Sequence, residues 1–462
     1  MVHLLVQASK YLMIILFLIY TFNCFNIFKY QDDKKRQTKT YALQRRLIYF
    51  IHFDGFLVLY LTSNDIKIIG LYLMQLILII AVYVTYHKFY QSASELILNN
   101  MNMLICIGMI ILTRLSYSKA ERQFLFLVAG IFLALFIPLI LRRGSNFRNL
   151  KYVYAAVGVI SLLLVAIAGS TSYGAKLSLS IAGISIQPSE FVKILFVFFI
   201  ASMLYKSHDI KQFIITSGVS AVFVLILVAS KDLGGALLYF FTYLVMVYAA
   251  TQKFYIFAGG LGCMSAAAII GYNLFSHVKT RVIAWKDPLS VIDNQGYQIC
   301  QSLFAIGTGG WFGLGLNQGM PKKIPVVEKD FVFSAISEEM GAIFALCIIL
   351  VCISCFLMIF NVALRMKDKF YKLVALGLGS VYALQVFLTI GGVIKFIPST
   401  GVTLPLVSYG GSSLLSTLII FGIIQGLYII QDDEMHGNKK GMMNEKNKNQ
   451  KRSTAKKKIN TK

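Results

Sequence analysis

Apolar stretches long enough to cross a bilayer recur along most of this sequence, and no other feature constrains its fold as tightly. In hydrocarbon the backbone must satisfy its own hydrogen bonds, and such runs do so as helices. Thirteen candidate spans can be read. Three form an amino-terminal group, roughly 11–28, 47–63 and 67–86. Ten follow, near 98–115, 121–141, 152–168, 188–205, 213–229, 234–250, 254–272, 331–360, 371–390 and 408–430. Only 14% of the residues are charged and 57% are apolar, against about 25% charged in an average soluble protein. A soluble globular enzyme, a disordered chain and a secreted disulfide scaffold are excluded. The expected fold class is all-α, a polytopic membrane protein.

Charge placement gives sidedness. The net charge is +24, which alone would suit nucleic acid, an acidic partner or a membrane surface. The linker Lys29, Lys34, Lys35, Arg36, Lys39, Arg45 and Arg46, less Asp32 and Asp33, carries +5. Arg142, Arg143, Arg148 and Lys151 carry +4, and Lys206 and Lys211 less Asp209 carry +1. Arg365, Lys367, Lys369 and Lys372 less Asp368 carry +3, and the tail beyond His436 carries +9. Thirteen alternating spans put all five segments, +22 of the +24, on one side. By the positive-inside rule that side is the cytoplasm, with the amino terminus outside. The first run lacks a small-residue cleavage site and reads as a retained span. The tail 433–462 has no interleaved aromatics, so anionic membrane lipid, not nucleic acid, is its expected partner. Cys352 and Cys355 form a C-x-x-C inside an apolar run and read as packing residues. The histidines show no zincin spacing, and no metal-ligand pattern is legible.

One long hydrophilic segment, 273–330, falls on the outer face; long loops tend to carry function. Its glycines (AIGTGGWFGLGLNQG) do not match P-loop spacing and suit either close backbone approach to a ligand or tight turns. Ionisable residues at membrane depth cost about 2.5–3.5 kcal/mol to insert, so they face a partner or a wet cavity. Glu190 and Lys193 share a helix face, as a self-neutralising pair or as cavity lining. Asp232 sits at a span end, where it is a helix cap or more. Asp330 stands where the long loop enters a span; partial desolvation there would lift its pKa toward the range of a general base. Glu338 and Glu339 lie deeper and suit helix–helix contact equally well. Asp54 reads as structural.

Several motifs in order carry a resemblance. They are Gln187-Pro188-Ser189-Glu190 with Lys193, Asp232-Leu233-Gly234, Asp287-Pro288, Gly296-Tyr297-Gln298 and Gln301-Ser302. The Gly-rich run 305–315 comes next, then Asp330-Phe331 with Glu338-Glu339-x-Gly341, and last Pro398 to Gly401, Leu404 to Leu406 and Ser408 to Ser413. Over roughly 98–432 the chain resembles the SEDS family of RodA-, FtsW- and SpoVE-like proteins. The resemblance implies a ten-helix core, here preceded by about three extra transmembrane helices in 1–97. It implies an inverting glycosyltransferase that polymerises lipid II into peptidoglycan at the outer face, for cell shape, division or sporulation, usually beside a class B penicillin-binding transpeptidase. It gives the essential carboxylate to Asp330. Arg281, Lys286 and Lys193 become candidate cations for the pyrophosphate, and Glu190, Glu338 and Ser408 candidate cavity residues. A divalent cation, Mg or Mn, would suit the pyrophosphate, although no ligand cluster calls for it. The sequence departs from the family pattern at Ser230-Lys231, where Gln-Pro is usual, at Gly235 for Thr, at 325–329, and at Thr389 for Asn. A flippase for the same lipid and a non-catalytic division scaffold are the competing readings.

Overall fold

Each apolar run folds as a helix. The computed structural model describes every residue except 1, 31–32, 145, 173–174, 182–183, 207–209 and 435–462; Asp32, Asp209 and the basic tail beyond Glu434 lie outside that set. The amino-terminal group is α1 (Val2–Lys29), α2 (Lys34–Ser63) and α3 (Ile66–Phe89). Next come α4 (Glu95–Leu115), α5 (Tyr117–Arg143) and α6 (Lys151–Ala168). Then come α7 (Pro188–Leu204), α8 (Ile210–Ala229), α9 (Leu233–Thr251) and α10 (Phe254–Leu274). The long loop contains α11 (Ser276–Lys286) and α12 (Tyr297–Gly309). The chain closes with α13 (Val332–Arg365), α14 (Lys369–Val393) and α15 (Gly411–Glu434). Aspartates in the tight links cap the helices after them: Asp33, Asp65 and Asp368 each accept an N–H from the first turn of α2, α3 and α14.

Eleven of the described helices are long and apolar enough to cross a membrane, and the protein is a multi-pass membrane protein. Two of the thirteen expected spans fall short for visible reasons. The first half of α2 carries six of the linker's lysines and arginines, and α7 has only 17 residues. The latter is largely enclosed by protein, so it need not match a bilayer. One feature departs from the all-helical expectation. Between α6 and α7 lies a three-stranded antiparallel sheet, β1 (Ser170–Ser172), β2 (Ala175–Ile181) and β3 (Ile184–Ile186), in the order β1-β2-β3. Its short alternating Ser/Ile/Leu strands are overshadowed in the sequence by the apolar runs on either side.

The bundle has two polar ends. At one, Arg45 pairs with Glu95, Arg142 with Asp433 and Arg148 with Asp368. The other, here called the loop end, gathers the described residues of 169–187 with 230–232, 275–331 and 394–410. There Arg114 pairs with Glu339, and Lys119 with Glu328.

The core is centred on α4, buried along its whole length, and on α13. The three amino-terminal helices are packed into it. Tyr20 donates to Asn100 at 2.8 Å, and Asn100 donates to Ser354 of α13 at 3.1 Å. Asn99 donates to Gln44 of α2 at 3.0 Å. These polar groups at membrane depth find partners across helices.

The helix α13 is broken at Gly341, whose φ of 87° no ordinary helical residue adopts. The Gly-rich stretch after α12 passes through this break. Ala342 N–H donates to Gly310 O and Ile343 N–H to Trp311 O, while Leu314 and Gly315 N–H donate to Glu338 O and Glu339 O. A Cβ on Gly341 would lie 2.4 Å from Gly313 N, and one on Gly309 would lie 2.0 Å from Ser337 O. Of the two roles left open for these glycines, tight turning is seen at Gly310, Gly313 and Gly315, with φ of 55°, 75° and 108°, and close approach is made to a protein segment. What they approach is the chain's own helix.

Candidate active site

Asp330 is the second residue before α13 and therefore opens a buried nine-residue segment, 332–340, that runs to the break. Three other pieces of chain meet it. The helix α9 begins at Asp232, whose carboxylate accepts from Gly235 N–H at 2.9 Å and from the Ser189 hydroxyl at 3.5 Å. From α11 comes Arg281, which donates to Ser399 O at 3.1 Å. The loop after α14 places Gly401 in the middle, at φ 75°. A Cβ built on Gly401 would stand 3.6 Å from an Arg281 Nη and 3.7 Å from Asp330 Oδ2. Carboxylate and guanidinium therefore both border this glycine without forming an ion pair.

Two departures from the family pattern have local reasons. Lys231 adopts φ 64°, which a proline, fixed near −65°, cannot. At Gly235 a Cβ would lie 2.7 Å from the Asp232 carboxylate that accepts its N–H. Thr389, at the position often held by Asn, donates to Val402 O at 2.9 Å and so helps hold the glycine loop.

Partners separate the carboxylates at this end. Glu190 takes Lys193 at 2.5 Å and Ser416 at 3.0 Å. Lys193, only 3% exposed, also donates to Gln385 at 3.0 Å, and Gln385 donates to Thr403 O. That is a closed, internally neutralised network. Glu339 accepts from Arg114, Asn317 N–H and Gly319 N–H, and Glu338 from Met320 N–H at 2.9 Å. Glu328 is held by Lys119, whose bond and charge outweigh the upward pull of its burial and keep the carboxyl below its usual range. Half-buried Asp330, by contrast, receives no hydrogen bond from the described residues. Burial pushes its pKa up to about 6, against the opposing pull of Lys329 and Arg281. Burial also raises Asp232 and lowers Arg281.

The remaining sequence candidates take peripheral or structural places. Lys286 is exposed at the last turn of α11, five residues and therefore about 140° around the helix from Arg281; it does not join the cluster. Ser408 is buried, donating to Lys329 O at 2.5 Å and accepting from Leu404 N–H at 3.0 Å. With Tyr409 N–H on Glu328 O, it ties the glycine loop to the residues just before Asp330. Sequence reasoning missed Gln385, whose sole signal is an amide inside an apolar helix. It also missed Lys231, visible there only as a departure. A separate cavity of about 470 Å³, lined by Arg45, Tyr83, His87, Lys88 and Glu95, lies at the opposite end of the bundle.

Comparison with known proteins identifies the family. The FtsW/RodA/SpoVE family model, described as a cell cycle protein, matches residues 94–431. The chain belongs to that family. Among its relatives, the peptidoglycan glycosyltransferase RodA of Mycobacterium tuberculosis is 32% identical over 369 residues, 73% of this chain and 78% of that protein. Stage V sporulation protein E of Bacillus subtilis is 33% identical over 323 residues, 67% and 86% of the two chains. One chain of a peptidoglycan synthase complex superposes with TM-score 0.63 at 22% identity, covering 73% of this chain and 98% of its own. The Thermus thermophilus rod shape determining protein RodA gives 0.57 at 22% identity, covering 73% and 97%. The helices α1 to α3 precede the segment that the FtsW/RodA/SpoVE model matches.

Proposed function

We propose that this protein polymerises lipid II into peptidoglycan glycan strands, with Asp330 as the general base. The observation that carries the role of Asp330 is its unspent carboxylate, bordering Arg281 at Gly401 with a pKa near 6. In the reaction, the acceptor sugar hydroxyl gives its proton to Asp330 and its oxygen attacks the anomeric carbon of the donor. The bond from that carbon to the polyprenyl pyrophosphate breaks, and its electron pair leaves with the pyrophosphate. Inversion turns an α-linked donor into a β-1,4 link. Pyrophosphate is already a competent leaving group, so a base and nearby positive charge suffice. Arg281 supplies that charge, with exposed Lys231 close by.

Among the described residues no three His, Cys, Asp or Glu side chains gather into a metal site. Asp330 and Asp232 share their surroundings with Arg281, a donor set that does not build a cage for a divalent cation. No step is assigned to one. The loop end faces outward in this reading and the basic linkers inward, and a class B penicillin-binding transpeptidase is the expected partner. Transport of the same lipid would need a gate. Lys193 and Glu190, the pair best suited to that work, are locked by Gln385 and Ser416.

The test is reconstituted full-length protein, with its transpeptidase, given labelled lipid II. Wild type is expected to form polymer and Asp330→Ala none. Equal polymerisation by both would remove Asp330 from the reaction, and lipid movement without polymer would favour the flippase.

A further inference from the structure

The helix α1 lies outside the family match, yet it reaches the Gly-rich strand in the α13 break. Gln7 donates to Leu314 O at 3.0 Å and Lys10 to Gly313 O at 3.2 Å. Tyr11 packs on Phe312 with ring centroids 5.7 Å apart. Gly315 sits against buried Val6, so that a Cβ there would lie 3.0 Å from Val6 Cγ1. Beyond the break, Phe17 meets Phe344 at 4.5 Å. The strand is therefore paired on both sides: its N–H groups at 314 and 315 bond to α13, and its carbonyls at 313 and 314 accept from α1. Without Gln7 and Lys10 those carbonyls lose their protein partners, and the same two peptides are then held only through their N–H groups on Glu338 and Glu339. A helix serving only as an anchor has no need of an amide and an ammonium on this face.

We propose that α1 is a positioning element of the active site: Gln7 and Lys10 fix the Gly-rich strand in the α13 break, and the buried segment 332–340 transmits that fixation to Asp330. The inference rests on the glycosyltransferase reading. It makes the amino-terminal helices part of the catalytic unit.

The experiment uses the full chain reconstituted with its transpeptidase. In the Gln7→Ala/Lys10→Ala double variant, kcat is expected to fall about tenfold while KM for lipid II stays within about twofold, because geometry is lost and the substrate's own contacts are not. Lys10→Arg, which keeps a donor, is expected to recover most of the rate when paired with native Gln7. Amide hydrogen exchange at Leu314–Gly319 is expected to quicken in the double variant whether or not the sample is active. As a control, Ile15→Ala/Leu18→Ala on the exposed face of α1 should leave both readouts at wild-type values. Unchanged kcat, unchanged exchange, or an equal loss in the control would each overturn the proposal. A wild type that forms no polymer would instead sink the glycosyltransferase reading, and the exchange result would still decide whether α1 holds the strand.

Discussion

The two ends of the segment 332–340 carry the same chemical group in opposite circumstances. At the break end, the Glu339 carboxylate is 1% exposed and takes Arg114 and two backbone N–H groups, while Glu338 takes a third. At the other end Asp330 takes none from the described residues. Fewer than ten residues apart, one carboxylate is consumed by structure and the other, in the proposed mechanism, is left for chemistry. Glu339 is enclosed and Asp330 half-buried, and the supply of donors separates them further.

The contrast can be tested at either end. The largest expected effect is on Asp330→Asn, which should lower the polymerisation rate by about 10²- to 10⁴-fold, the range for loss of a general base; glycan polymer per unit time is the readout. In wild type the rate should drop as pH falls through about 6, where Asp330 gains its proton. The stability sign is separate. Because the folded pKa is raised, the fold favours protonated Asp330, and that contribution is full below the ordinary value and lost as pH rises through about 6. Asp330→Asn should thus unfold at a higher temperature than wild type at pH 7.5, with the gap closing toward pH 4. At the other end, Glu339→Ala strands Arg114, 13% exposed, and should cost about 3–5 kcal/mol of stability in a thermal or denaturant titration. Arg281→Ala, which removes a charged donor from the leaving group, should slow turnover about 10- to 100-fold with little change in unfolding temperature. Ser408→Ala should cost about 1–3 kcal/mol of stability, the value of the two hydrogen bonds its hydroxyl makes, and slow turnover only as far as Asp330 drifts.

Much of this was legible in the sequence, and the limits have physical causes. Apolar runs report burial directly, so the thirteen long helices fell where expected. The position of Asp330, at the seam between a polar loop and an apolar run, makes it a candidate on sequence alone. The pairing of Glu190 with Lys193 followed from helical spacing, but its closure by Gln385 and Ser416 did not, since those residues lie about 190 and 225 positions further on. Gly341 reads as an ordinary glycine inside a long apolar helix. That it breaks the helix depends on Gly309 and Gly313 arriving from elsewhere, which a single-sequence pattern cannot report. The strands at 170–186 were hidden because their short alternation carries little weight beside two flanking spans.

The interruption at Gly341 also solves a problem of length. An unbroken helix over 332–365 would run about 51 Å, well beyond the roughly 30 Å of a hydrocarbon core. Divided there, the remainder 342–365 measures about 36 Å and fits with modest tilt, while the nine residues before it extend about 14 Å along their own axis. The discontinuity acts as a ruler's zero mark, from which the height of the carboxylate is counted. One inserted residue between them would lift it about 1.5 Å and turn it about 100°, away from Gly401.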